Sequence, residues 1–568
     1  MAPEIIYNPA VDYGLPNIDL LSLLFESPEC PTEEDTLLHI EASNVDNAIT
    51  KAQTRFYTKF IAQILRSRFG IGAQGPGKNV VVCISSGQIL LPPLFYAVIA
   101  AGGVYSAASS SFTKKELARQ INHGNAVLLV ASPDCAHVAH EAARISGLST
   151  DRILILNSIK GDRSLIDHGR NNLLESAEKY GQDLLDWEVV TDPETLRTRP
   201  ICLLYSSGTT GEPKGMSFFC VHMSHLNLVS SGLITGYRLH DWKRRQRAKD
   251  ANFNFQYRTI GHLPAAHIAG ILGYLVHPPM YGPGAVYWMP KFNFDDFLKY
   301  NKEHRITSFF TVPPIYMLIA HSPKVTDQFE ALHHAITGAA PMGPDLTARA
   351  EKKLGCNVSQ TWGLSETTAS VTGQPWDEPD STGSISTILP NIRMRIVDDA
   401  GRDVQDGQQG EFLVQGPTVT VGYWNDPEAT ARTFTSCGRW LKTGDVGMRH
   451  NGKFYIMDRK KEMIKYKGLQ VAPAELEATL VSHPLIHDAA VIGVPDPALA
   501  GNEVPRAFVV ADSTRVSAKD IQTFIKNELA PQKQLRGGVV FLKQIPKSAT
   551  GKILRKVLRD QINEAAKL

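Results

Sequence analysis

At 568 residues the chain is too long for one ordinary hydrophobic core, and at roughly 150 residues per domain it predicts two to four structural units. Apolar residues make up 43% and charged residues 20%, with 44 glycines and 34 prolines along the whole length, which excludes a disordered or fibrous polymer. Lys plus Arg number 59 against 57 Asp plus Glu, a net charge of +2, so no global field recruits nucleic acid or an anionic membrane.

The N-terminal stretch MAPEIIYNPAVDYG lacks the basic and apolar regions of a signal peptide. Strand-like apolar runs at 79–85, 126–131, 152–156 and 308–312 alternate with helix-like segments at 114–121 and 136–145, and this alternation predicts layered α/β architecture. The most apolar stretch, 89–104, is interrupted by Pro92 and Pro93, so no membrane span is expected. The basic run Lys243, Arg244, Arg245, Arg247 and Lys249 reads as a solvated loop. Beyond about residue 391 the texture changes to short strands around Gly-containing or Asn-Gly turns, as in GEFLVQG and NGKFYIMDR, which predicts a smaller β-rich unit. A compact αβ pattern follows, with helices at 473–482 and 518–529 and strands DAAVIGVPD and RAFVVAD. The domain boundary is therefore expected close to Lys460, dividing the chain into 1–460 and 461–568. The seven cysteines are widely spaced, with no CxxC pair and no histidine at zinc-ligand spacing, the pattern of reduced thiols in an intracellular compartment.

One segment carries chemistry on its face. YSSGTTGEPKG, 205–215, follows the apolar strand ICLLY and gathers Ser206, Ser207, Thr209 and Thr210 around Gly208 and Gly211 before Lys214. Glycines let backbone N–H groups approach phosphate oxygens, hydroxyls donate further bonds and the lysine adds a point charge. It is not a Walker loop, because Gly215 follows Lys214, and the chain holds no GxGxxG opening a βαβ unit. Taken alone, such a Ser/Thr/Gly cluster is as often a plain connection.

The segment closely resembles the phosphate loop of the adenylate-forming superfamily, which includes acyl-CoA synthetases, 4-coumarate:CoA ligases and firefly luciferase. The resemblance recurs in order along nearly the whole chain, through GHLPAAHIAG, TGAAPMG, QTWGLSETT, GYWNDPEAT, WLKTGDVG, DRKKEMIKYKGLQVAPAELE and PKSATGKILRK. It implies a large N-terminal domain of layered αβ subdomains plus the β-rich subdomain, and a small mobile C-terminal α+β domain hinged at Lys461. The implied activity is ATP-dependent: a carboxylic acid becomes its acyl adenylate, and coenzyme A then takes the acyl group, releasing AMP and pyrophosphate.

The roles the resemblance implies fall on particular positions. Trp362 stacks on the adenine, Ser365 meets the α-phosphate and Glu366 holds Mg²⁺, chemistry suited to an aromatic face, a hydroxyl and a hard carboxylate oxygen. Asp445 accepts from the ribose hydroxyls beside Arg459. Lys552 contacts both the attacking carboxylate and the α-phosphate, while Lys465 and Gln470 reach the carboxylate and the AMP phosphate. After adenylation the C-terminal domain rotates, and its face around Lys467 and Gly468 admits the thiol of coenzyme A. His267 lies beside the carboxylate end of an acyl pocket that also includes Ala269, Gly338, Ala339, Ala340 and Thr361.

The chain departs from plant 4-coumarate ligases at two of these positions: Ala269 stands where they carry a tyrosine, and Thr361 replaces the glycine before the nucleotide-stacking aromatic. Both changes disfavour a flat hydroxycinnamate and favour a flexible aliphatic acid or an arylacetic acid whose ring tilts. Two other readings compete, an adenylation enzyme that loads a carrier protein and a nucleotide-binding regulator without catalysis. Against the second stand Lys214, Glu366, Asp445, Arg459 and Lys552, all present. The final Ala566, Lys567 and Leu568 resemble the small-basic-Leu tripeptide read by the peroxisomal import receptor, which predicts a peroxisomal location.

Overall fold

The computed structural model describes residues 4–30, 32–175, 184–207, 218–466, 469–496, 499, 502–548 and 551–565, with the backbone alone at 206, 207, 218 and 563–565. Gly208, Thr209, Thr210, Gly211, Lys214, Lys467, Gly468, Ala566, Lys567 and Leu568 lie outside the described residues.

A seven-stranded sheet forms the first layer, in the order Ser164–Ile166, Ile153–Asn157, Ala126–Ala131, Val80–Ile84, Val104–Ala108, Pro200–Ser207, Phe218–Ser224. Its inner strands are parallel and its two outermost pairs antiparallel. Along Val80–Ile84 alternate side chains enter different cores: Val81 and Cys83 join one, Val80, Val82 and Ile84 the other. A near-continuous apolar run is what a parallel strand covered on both faces requires. Helices Leu91–Ala100, Lys114–Gly124 and Ala136–Ser146 supply the covers. Pro92 and Pro93 sit in the first turn of Leu91–Ala100, where a missing N–H costs nothing, and every residue of that helix is buried. Among the described residues no helix is long and apolar enough to cross a membrane.

A four-stranded sheet of Tyr257–Gly261, Gly284–Trp288, Leu37–Glu41 and Asn44–Thr50, and a parallel three-stranded sheet of Ser308–Thr311, His334–Thr337 and Val358–Gln360, form the next part of the fold. The β-rich unit is an antiparallel meander of Arg393–Val397, Gly410–Gln415, Leu441–His450 and Lys453–Arg459. Beyond it a separate core gathers Ile464, Leu476, Ile492, Phe508 and Ile525 around a three-stranded sheet and the helices Pro473–Ser482 and Ala518–Glu528.

The basic run is not a loop. Lys243 to Lys249 form the last two turns of the 25-residue helix His225–Lys249. Cations at a helix C-terminus meet the negative end of its dipole. Lys243 is buried and donates to the carbonyls of Tyr281 and Gly282, while Arg244 and Arg245 pair with Asp241 and Asp377.

Candidate active site

Ser206 and Ser207 end the strand Pro200–Ser207, which pairs antiparallel with Phe218–Ser224, the edge strand of the large sheet. Strand Phe218–Ser224 in turn touches 420–424, through a bridge between Val221 and Tyr423 and a bond from Trp424 N to Cys220 O of 2.8 Å. Those contacts bring Tyr423 to Glu366. The phenol donates to Glu366 Oε1 at 2.9 Å, and Thr420 N donates to the Glu366 carbonyl at 2.8 Å. The Tyr423 hydroxyl is pushed above the usual phenol range by burial and by the Glu366 charge, so it stays a donor. One carboxylate oxygen of Glu366 is held in this way and the other makes no hydrogen bond among the described residues.

Ser365–Thr367 form a single 3-10 turn that follows directly on Gly363 and Leu364. Thr368 and Ala369 then take left-handed φ values of 50° and 70°, folding the chain back so that Gly363 pairs with Ser370. A Cβ on Gly363 would sit 1.6 Å from the Ala369 carbonyl oxygen, which is backbone and cannot step aside. Gly363→Ala is therefore expected to displace Trp362, Ser365 and Glu366 together and to lower acid-dependent pyrophosphate release by about 100-fold or more, as misplacement of reacting groups by about 1 Å does. A steady-state assay on purified, folded variant protein checks this.

Trp362 is 8% exposed and packs edge-on against Phe412. Its indole N–H donates to Asp445 Oδ2 at 2.8 Å, and Arg459 Nε lies 3.2 Å from Asp445 Oδ1. Register explains the second contact, since Asp445 and Arg459 are directly opposed on neighbouring strands. Two positions that the resemblance assigns to the nucleoside site, Trp362 and Arg459, thus converge on the third, the buried Asp445 carboxylate.

Lys552 enters from the C-terminal unit. Its loop closes on itself through Ser548 N to Lys552 O at 2.8 Å and Lys552 N to Ser548 Oγ at 3.2 Å. Gly551, at φ 77°, lies against Pro314 and Val312, where a Cβ would fall 2.8 Å from Pro314 Cγ. That close approach seats the ammonium in the fields of Arg459, Asp445 and Glu366. Burial first, and then the Arg459 charge, pull its pKa down to about 8, while the two carboxylates oppose the shift. The same ammonium acts on His267, whose ring is held down to about 4, first by burial and second by Lys552. His267 is therefore neutral at physiological pH, and Nδ1 accepts from Ala269 N at 3.4 Å.

Lys461 lies in the turn after Arg459, where Glu462 N and Met463 N both donate to the Arg459 carbonyl. Lys460 pairs with Asp399 and Glu411, and Asp458 accepts from Ala474 N at 2.9 Å at the start of the next helix. Lys465 and Gln470 oppose one another in a two-stranded hairpin, both exposed. Among the described residues neither makes a hydrogen bond or ion pair with Glu366, Asp445 or Lys552.

A cavity of about 280 Å³ opens beside His267, lined there by Ala269, Gly338, Ala339 and Thr361. Ala340 is half-buried in the same turn, next to Ala339 with φ 67°. The Thr361 hydroxyl is tied back, donating to Thr372 O at 2.6 Å and accepting from Ser370 Oγ at 2.9 Å. Its methyl faces Gly338, where a Cβ would lie 3.2 Å from Thr361 Cγ2 and 3.0 Å from the Phe310 ring. Tyr423, Arg238 and His334 are site residues that the sequence reading did not single out. Tyr423 had a signal, since it lies inside GYWNDPEAT; the other two lie outside every motif.

The Lys552 ammonium, the Glu366 and Asp445 carboxylates and an adjoining cavity meet where the resemblance places the site of an adenylate-forming enzyme. The AMP-binding enzyme family matches residues 34–424, and the AMP-binding enzyme C-terminal domain matches residues 475–552. A protein of Emericella nidulans named "Putative acyl-coenzyme A synthetase" is 50% identical over 564 residues, 99% of each chain. Phenylacetyl-CoA ligase epaB of Aspergillus niger is 31% identical over 97% of this chain and 98% of its own. ATP-bound MatB from Rhodopseudomonas palustris shares the fold, with a TM-score of 0.79 over 96% of this chain and 98% of that one at 24% identity. The chain belongs to the AMP-binding enzyme family, as one of its ATP-dependent acyl-CoA ligases.

Proposed function

We propose that the chain forms an acyl adenylate in this site and passes the acyl group to coenzyme A after its C-terminal unit turns about Lys461. The observation that carries the reading is the position of Lys552, delivered by the C-terminal unit among Glu366, Asp445, Arg459 and His267. A carboxylate oxygen attacks the α-phosphorus of ATP, the bond to the bridging oxygen breaks and pyrophosphate leaves. Two anions must meet for this, and the Lys552 ammonium offsets their repulsion and stabilises the charge of the transition state. Ser206, Ser207, Gly208, Thr209, Thr210, Gly211 and Lys214 are the residues assigned to the polyphosphate, Ser365 to the α-phosphate, and Trp362, Asp445 and Arg459 to the nucleoside.

Glu366 fits a magnesium ion. Among the described residues its carboxylate keeps one oxygen clear of protein donors, and no group of three or more His, Cys, Asp or Glu forms an all-protein cage. Magnesium is commonly held by one or two carboxylates plus substrate phosphates, and when bound it neutralises phosphate charge. In the second step the thiol sulfur attacks the acyl carbon and AMP leaves. Lys465, Gln470, Lys467 and Gly468 are the positions assigned to that conformation, consistent with the outward placement of the Lys465–Gln470 pair.

The acid is aliphatic or arylacetic rather than a flat hydroxycinnamate. Ala269 leaves room in the cavity, the Thr361 methyl intrudes on the plane beside Gly338, and a full-length relative is named for phenylacetate. Pyrophosphate release over a panel of acids, with and without coenzyme A, tests the whole reading: acid-dependent release accelerated by coenzyme A supports it. Release indifferent to coenzyme A points to carrier-protein loading, and 4-coumarate as the fastest acid overturns the substrate assignment.

The protonation state of Lys552 sets an alkaline limit. Below its pKa of about 8 the ammonium is charged, and above it the charge that draws the two anions together is lost. For adenylation, kcat/KM is expected to fall as pH rises through about 8, since that ratio reports groups of the free enzyme. Lys552→Arg should remove this limb, because arginine stays charged throughout the range.

A further inference from the structure

The acyl cavity runs from His267 to an end lined by polar groups. On the helix His225–Lys249, residues Ser231, Thr235, Arg238, Asp241 and Arg245 follow the spacing of one helical face and all line the cavity. Asp241 and Arg245 have partners: Arg244 donates to Asp241 at 2.8 Å, and Asp377 holds Arg245 through two bonds. Arg238 differs. Among the described residues its one hydrogen bond runs from Nη2 to the Gly373 carbonyl at 3.0 Å, and no carboxylate forms an ion pair with it.

Burial lowers the pKa of Arg238, and the groups that partly restore it, Tyr13, Tyr281 and the exposed Glu378, act only from a distance. Behind it His334 is completely buried, stacked on Trp376 at 4.4 Å, with neither ring nitrogen hydrogen-bonded among the described residues. Burial and the Arg238 charge hold the imidazole neutral. Opposite, Gly373 leaves the guanidinium its space, since a Cβ there would lie 2.7 Å from Nη1. A half-buried guanidinium facing a cavity, with no ion-pair partner among the described residues, is placed to meet an anion there. The fork of N–H donors matches a carboxylate in two parallel bonds.

We propose that the acid activated here carries a second carboxylate, which Arg238 binds at the far end of the cavity while the first carboxylate meets Lys552. The substrate class is then an aliphatic dicarboxylic acid, converted to its monothioester. The cavity of about 280 Å³ leaves room for an aliphatic chain between the two carboxylates. This inference rests on the acid:thiol ligase reading above.

The test compares acids of equal length: adipic with hexanoic, suberic with octanoic, and suberic with its monomethyl ester, each with ATP, magnesium and coenzyme A, reading thioester formation. The wild-type protein should favour the diacid by about tenfold or more in kcat/KM for at least one length, with the ester behaving as the monoacid, since a site built for a polar group rejects analogues lacking it. In Arg238→Met that ratio should collapse toward one or below, and Gly373→Ala, which crowds Nη1, should reduce it without removing the charge. Faster turnover of the monoacids or the ester by the wild type overturns the inference while leaving the ligase reading standing. An unaltered ratio in Arg238→Met overturns it equally, and thioester from neither series overturns both.

Discussion

Lys552→Ala is expected to slow acid-dependent pyrophosphate release by about 10²–10³-fold, the usual cost of removing one group aimed at developing charge. The ammonium occupies a position already surrounded by Glu366, Asp445 and Arg459, and Arg459 is engaged by Asp445. The loss should be confined to one half of the reaction. Acyl transfer from a chemically prepared acyl adenylate to coenzyme A does not bring two anions together, and in the proposed cycle the C-terminal unit presents another face for it. That step should fall by less than about tenfold. Parallel loss of both steps would mean that Lys552 holds the fold of the site rather than the charge of the transition state; circular dichroism and thermal unfolding of the variant separate the two.

Asp445→Ala should weaken ATP binding by about 10²–10⁴-fold, because two hydrogen bonds to a charged acceptor contribute roughly 1.5–3 kcal/mol each and each 1.4 kcal/mol is a factor of ten. The same change strips Trp362 Nε1, in a residue 8% exposed, of its acceptor and leaves Arg459 without its ion-pair partner. The variant should therefore also unfold at a lower temperature. Isothermal titration with ATP gives the first effect and calorimetry the second. A thermal loss with unaltered ATP affinity would assign Asp445 to the support of Trp362 alone.

The large sheet was legible because its strands are apolar on both faces, and the run at 126–131 matches the observed strand at both ends, as the run at 473–482 matches a helix of the C-terminal unit. The helix Lys51–Phe69 carried a signal that the reading passed over, a capping box from Thr50 to Gln53. The run from Lys243 misled because five cations in seven residues look solvated, whereas their partners, Asp377 and the Tyr281 carbonyl, come from distant segments. The site follows the same rule. Glu366, Asp445 and Lys552 were found through motifs, but the bond joining Trp362 to Asp445 spans 83 positions and depends on register between strands. Arg238 was illegible for a related reason. One cation among Leu233, Ile234 and Leu239 reads as an ordinary helix residue until the fold shows the cavity it faces.

The central claim is that the acid is activated through its own oxygen as an acyl adenylate. The most direct measurement uses an acid labelled with ¹⁸O in both carboxylate oxygens, turned over with ATP and coenzyme A, with the products resolved by mass spectrometry. Attack on the α-phosphorus leaves one carboxylate oxygen bonded to it, and cleavage by the thiol returns that oxygen in the nucleotide. AMP carrying one ¹⁸O, with unlabelled pyrophosphate, is the predicted result. Label in inorganic phosphate alongside ADP, or unlabelled AMP during thioester formation, would contradict it.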